Sequence, residues 1–156
     1  MAIIGLAYAG LPPTGAWQYV FVSALLHLGY QVFLLNAYRF GELTQIYPVA
    51  RGASPLLITL FTMVTVPDVL KTTEVIGVIL VSGAIITYGI AQYRTKTVGF
   101  IGIVLAVITG CFIASYSIVD ATGTRITQSA ISYYGASTTA NAVVLALYLM
   151  RFHPTV

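Results

Sequence analysis

The sequence predicts an all-α integral membrane protein, a multi-span helical bundle with about five complete transmembrane helices. Three observations predict it. Only 7% of the 156 residues are charged and 58% are apolar, where soluble domains run at about a quarter charged. The apolar residues gather into stretches close to the ~20 residues that cross a ~30 Å hydrocarbon core at 1.5 Å per residue. Short polar or proline-bearing turns divide these stretches. A fold in water needs charged residues outside, whereas a fold in lipid needs apolar residues inside and out. The composition therefore excludes a soluble enzyme. Its three surplus positive charges form no Lys/Arg cluster, which excludes a nucleic-acid partner. Cys111 is the single cysteine and forms no internal disulfide or thiolate metal site. No metal, cofactor or enzymatic activity is expected.

Met1 to Gly10 is apolar but only about half a span, and reads as the trailing half of another helix, making the chain part of a longer one. The first complete span, residues 17–37, follows the Leu11-Pro12-Pro13-Thr14-Gly15 turn and carries Trp17 and Tyr38 at its two interfaces. The second covers about 46–66 and ends at Pro67-Asp68. The third, about 74–92, opens at Thr73-Glu74, a capping hydroxyl and an acid at the positive end of the helix dipole. Tyr93-Arg94-Thr95-Lys96 is a turn. The fourth span runs 98–119, Asp120 to Gln128 is a polar connection, and the fifth runs about 131–150 to Arg151. Loop charges place Arg39, Arg94, Lys96 and Arg151 on one side and Lys71 and Arg125 on the other, and the positive-inside rule puts the first set in the cytoplasm.

Polar groups inside the spans carry the functional information, because an ionisable side chain at bilayer depth costs at least ~2.5 kcal/mol. Arg51 lies between Pro48 and Pro55, next to Tyr47. One reading is a loosened helix lining a wet substrate cavity; the other is an arginine snorkelling to the interface. His27, Tyr30, Gln31 and Ser23 share a helix face, which either lines a polar pathway or satisfies a histidine against a neighbouring helix. Asp120 at a helix C-terminus would meet the negative dipole end, so Arg125, returned by a turn at Gly123, is its expected partner. An ordinary interfacial loop is the alternative. Gly102, Ala106, Gly110 and Ala114 form a four-residue stripe for close helix packing. The small and polar run Gly135 to Ala142 should face inward. Gly135-Ala136-Ser137 with His27 or His153 loosely matches an intramembrane serine protease but departs at Thr138.

Two blocks carry a resemblance. The run Ala37 to Leu57, with Ala37-Tyr38-Arg39, Gly41-Glu42-Leu43, Tyr47-Pro48, Ala50-Arg51-Gly52 and Pro55-Leu56-Leu57, resembles the signature of EamA-type transporters of the drug/metabolite transporter superfamily. Gly110, Ile113-Ala114, Tyr116, Val119-Asp120, Gly123 and Arg125 are similar to a second block of that family. The resemblance implies a ten-helix secondary carrier of two inverted five-helix repeats in a bacterial-type inner membrane. On it, residues 1–93 end the first repeat and 98–156 begin the second. Pro67-Asp68-Val69-Leu70 departs from the family, which often has Gly-Glu there, and cytoplasmic termini would place Arg94 and Lys96 outside, against the charge count. The implied function is alternating-access transport of a small organic metabolite or drug-like solute, with a proton or another ion as coupling partner. Arg51, Tyr47, His27, Tyr30, Pro48 and Pro55 would form the pathway, and Asp120, Gly123 and Arg125 a structural turn or gate. The lipid bilayer, a small-molecule substrate, and the rest of the chain or a second copy are the expected partners. A non-transporting membrane scaffold working through the Gly102 to Ala114 stripe is the alternative.

Overall fold

A computed structural model of the chain describes residues 2–65, 71–94 and 98–152. Pro67, Asp68, Lys96 and His153 lie outside them. The order is α1 (Ala2–Ala9), a 3-10 turn (Thr14–Ala16), α2 (Trp17–Ala37), α3 (Leu43–Thr65), α4 (Thr72–Arg94), α5 (Phe100–Thr127) and α6 (Ala130–Phe152). Among the described residues there are helices and turns and no strand. Three helical segments are long and apolar enough to cross a membrane: Thr14–Ala37, Thr72–Arg94 and Phe100–Thr127. In α4 only 11% of the most apolar stretch is buried, so Ile79, Leu80, Val81 and Ile86 face outward. Such a surface suits lipid and not water. Both α3 and α6 have 23 residues, enough length, but Arg51 in α3 and the hydroxyl and amide groups of α6 lower their apolarity.

The helix starts are set by side chains reaching back. Gln45 Oε1 accepts the Glu42 N–H at 3.0 Å, and Glu74 Oε2 accepts the Lys71 N–H at 3.0 Å. Each is the reverse half of a capping box. At α4 the cap is thus the Glu74 carboxylate on Lys71, not the Thr73 hydroxyl. Before α6, Ser129 Oγ accepts the Ser132 N–H at 3.3 Å.

The chain forms two compact units, residues 2–28 with 116–152, and residues 29–115. In the second, Leu34, Ala37, Ile46, Ala50, Val98 and Ala106 make the core. Gly102 and Gly110 let α5 approach closely: a Cβ on Gly110 would stand 2.8 Å from Ala53 Cβ and 2.9 Å from the Ala50 carbonyl oxygen. In the first unit, α1 packs on α6 with Leu6 over Gly135, and Ser132 Oγ donates to the Gly10 carbonyl at 2.8 Å.

Pro48 and Pro55 do not break α3, which runs through both. A proline supplies no N–H to the carbonyl four residues earlier, here those of Thr44 and Arg51. The Tyr88 hydroxyl of α4 donates to the Thr44 carbonyl at 2.8 Å, and Ser54 Oγ donates to the Arg51 carbonyl at 2.9 Å. Both freed acceptors receive a hydroxyl donor within the protein, which lets the helix continue past each proline. Ser54 is buried. Ser54→Ala strips the Arg51 carbonyl of its donor and is expected to cost about 1–3 kcal/mol, read as a lower Tm by circular dichroism in detergent. An unchanged Tm would show that the carbonyl finds another donor.

Candidate functional site

Three helices of the first unit wall a cavity of about 360 Å³. From α2 comes His27; from α5 come Tyr116, Ser117 and Asp120, one helical turn of one face. From α6 come Tyr134, Ser137, Thr138 and Asn141, again the spacing of a single helix face. Every lining residue is polar or aromatic with a polar group, in a chain that is mostly aliphatic.

Asp120 is 4% exposed and accepts a hydrogen bond from Tyr133 Oη at 2.9 Å. This corrects the expectation of a turn. α5 continues as helix to Thr127, so Asp120 and Gly123 are interior helix positions and Arg125 is an exposed residue of its last turn. Five residues along a helix are about 140° around it, so Asp120 and Arg125 point to different faces. Gly123 has another use. A Cβ there would overlap the Tyr133 ring, so the missing side chain is what lets Tyr133, wholly buried, lie on α5 and reach Asp120. The helix stops at Gln128, whose φ of 56° makes the left-handed turn and whose N–H bonds to the Thr124 carbonyl at 2.9 Å.

His27 Nδ1 lies 2.9 Å from the Ser23 carbonyl oxygen. A carbonyl only accepts, so Nδ1 carries the hydrogen. Ser23 Oγ lies 3.2 Å from the same nitrogen and 3.1 Å from Ser137 Oγ. The His27 ring stacks on Tyr116 with centroids 3.8 Å apart. With Nδ1 donating and Ser23 interposed, this nitrogen is not a base for Ser137, and the protease-like arrangement is not formed through it.

Of the remaining pathway residues, Arg51 and Tyr47 form a pair in the second unit. Arg51 Nε donates to Tyr47 Oη at 2.9 Å, with the guanidinium 5.3 Å from the Tyr47 ring centroid. Arg51 is exposed. Tyr30 packs against the Leu34 core together with Tyr38 and Tyr47 and does not line the His27 cavity. Burial, with Tyr30 and Tyr47 close by, raises the Tyr38 phenol above its ordinary range. Gly102, Ala106, Gly110 and Ala114 are buried. Tyr133 escaped the sequence reading, and Tyr116 entered it only within the second resemblance block and not as a site residue. The available signal was the recurrence of polar side chains at 134, 137, 138 and 141, a helical period in an inserted segment.

A second cavity, of about 490 Å³, lies between α3, α4 and α5 of residues 29–115 and is apolar except for the hydroxyls of Ser82 and Tyr93. It offers little to hold a polar solute. Among the described residues no group of three His, Cys, Asp or Glu side chains could hold a metal ion. Compared with protein-family models, with curated proteins and with solved structures, the chain matches none.

Proposed function

We propose that this protein carries a small organic solute across a membrane by alternating access, through the cavity at His27 and Asp120. The carrying observation is Asp120 itself: a carboxylate kept 4% exposed on the wall of a polar cavity. Ionisable groups are expensive inside the membrane and stay where solutes or ions pass. In this reading α3 and α6 are the fourth and fifth spans, since 23 residues reach about 34 Å. Residues 1–93 and 98–156 then belong to two EamA-like repeats, in keeping with the signature around Arg51, and a proton or another ion is the coupling partner. Arg51, held by Tyr47, offers a second polar contact on the route. The scaffold alternative needs an outward stripe, and it loses support because Gly110 is already packed on Ala50 and Ala53.

The test is uptake into proteoliposomes of amino acids, sugars and amphipathic amines under an imposed proton gradient. Saturable uptake of a solute is expected. Thr138 is exposed and lines the cavity, so Thr138→Trp should fill it and abolish uptake without loss of folded protein. No uptake above protein-free vesicles, or full uptake by the tryptophan variant, would overturn the reading.

A further inference from the structure

Resting on the carrier reading of the same cavity, we infer that its ligand is a small organic cation, an ammonium held by Asp120. The inference starts from what Asp120 lacks around it. A carboxylate has room for about four hydrogen bonds, and among the described residues Asp120 receives one, from the neutral Tyr133 hydroxyl. Among the described residues no lysine, arginine or histidine forms an ion pair with it. His27, the titratable base on the same wall, gives its Nδ1 hydrogen to the Ser23 carbonyl and its ring face to Tyr116. An uncompensated buried charge costs several kcal/mol, and here it borders a space of about 360 Å³, within the range of small-molecule sites.

The rest of the wall points the same way. Asn141 Oδ1 is buried, has no hydrogen-bond donor and lines the same cavity. Carboxylate and amide oxygen are both acceptors, so the wall asks for a ligand rich in donors and positive in charge. An anion would meet one carboxylate and the negative end of one amide dipole. Tyr116, whose ring stacks on His27, and Tyr134 add aromatic rings to the wall, and cations are attracted to aromatic rings. An ammonium therefore finds a counter-charge, a second acceptor and an aromatic surface at once, and a neutral alcohol of the same shape gains only part of this.

Three ligands of one shape separate the possibilities: 2-phenylethylamine, 2-phenylethanol and 3-phenylpropionate, titrated calorimetrically against the full chain in detergent micelles. The amine should bind at least about tenfold more tightly than the alcohol, as a hydrogen bond to a charged group implies, and the carboxylate should not bind. Asp120→Asn keeps an oxygen to accept the Tyr133 hydroxyl, so the fold persists; it should weaken the amine about 10- to 100-fold and leave the alcohol unchanged. Tyr133→Phe leaves the charge in place and should keep the amine preference. Equal binding of amine and alcohol to the native protein, a preference for the carboxylate, or an amine affinity untouched in Asp120→Asn would overturn the assignment. Amine binding without vesicle uptake would sink the carrier reading alone. Uptake without any amine preference would sink this inference alone.

Discussion

Gly123→Ala is expected to lower the Tm, although alanine is the better helix former. In a helix interior alanine gains up to about 1 kcal/mol over glycine, and Gly123 lies well inside α5. Against this stands the Tyr133 ring, wholly buried, which the new methyl would overlap at Cε2 and Cζ. Overpacking a closed site costs about 1–3 kcal/mol. Moving the ring also loosens the Tyr133 to Asp120 hydrogen bond, worth about 1.5–3 kcal/mol when the acceptor is charged. The two losses exceed the gain, so the variant should unfold at lower temperature and bind solutes in the cavity less well. A Tm equal to or above that of the native protein would mean that Tyr133 has another seat to move to.

The second large effect is expected at Gly52. A Cβ there would overlap Ile85 of α4, and Ile85 Cβ itself would lie 2.7 Å away. A rotamer change relieves a clash with a side-chain tip, but Cβ moves only with the backbone. Gly52→Ala must therefore push α3 and α4 apart, with a loss of about 3 kcal/mol, at the upper end for overpacking. Gly83, on the same α4, has nothing within 4 Å of an added Cβ. Gly83→Ala is the matched control and should hold or raise the Tm, because only helix propensity acts there. Thermal unfolding of the two variants side by side decides the matter: equal melting would show that the α3–α4 contact is not tight.

The positions of the helices were legible because charges and prolines cut the apolar text. The stretch 17–37 coincides with α2, and Trp17 and Tyr38 mark its ends. The end of α5 was not. Asp120, Thr122, Gly123 and Thr124 read as a connection because each is a poor helix residue taken alone. The fold overrides this by local means: Thr122 and Thr127 return their hydroxyls to the carbonyls four residues back, Tyr133 covers Asp120, and Gly123 makes room for Tyr133. Only the two threonines find their partners within about a helical turn; Tyr133 reaches Asp120 and Gly123 from another helix. The site was half legible for a similar reason. His27 and Asp120 are conspicuous by cost, and the polar face of α6 by its period, but the pairing of Tyr133 with Asp120 depends on how two helices meet. That α3 runs unbroken through Pro48 and Pro55 was illegible on the same ground, since Tyr88 donates to the Thr44 carbonyl from another helix, 44 residues further along the chain.

That last arrangement has a mechanical side. At Thr44 and Arg51 the α3 ladder is completed by side-chain hydroxyls, one from α4 and one from within α3. A hydroxyl swings about a single bond and can follow its acceptor, whereas a backbone amide is fixed in the peptide plane. α3 therefore has two compliant joints, at residues 44–48 and 51–55, at which the rod can flex while both oxygens stay engaged.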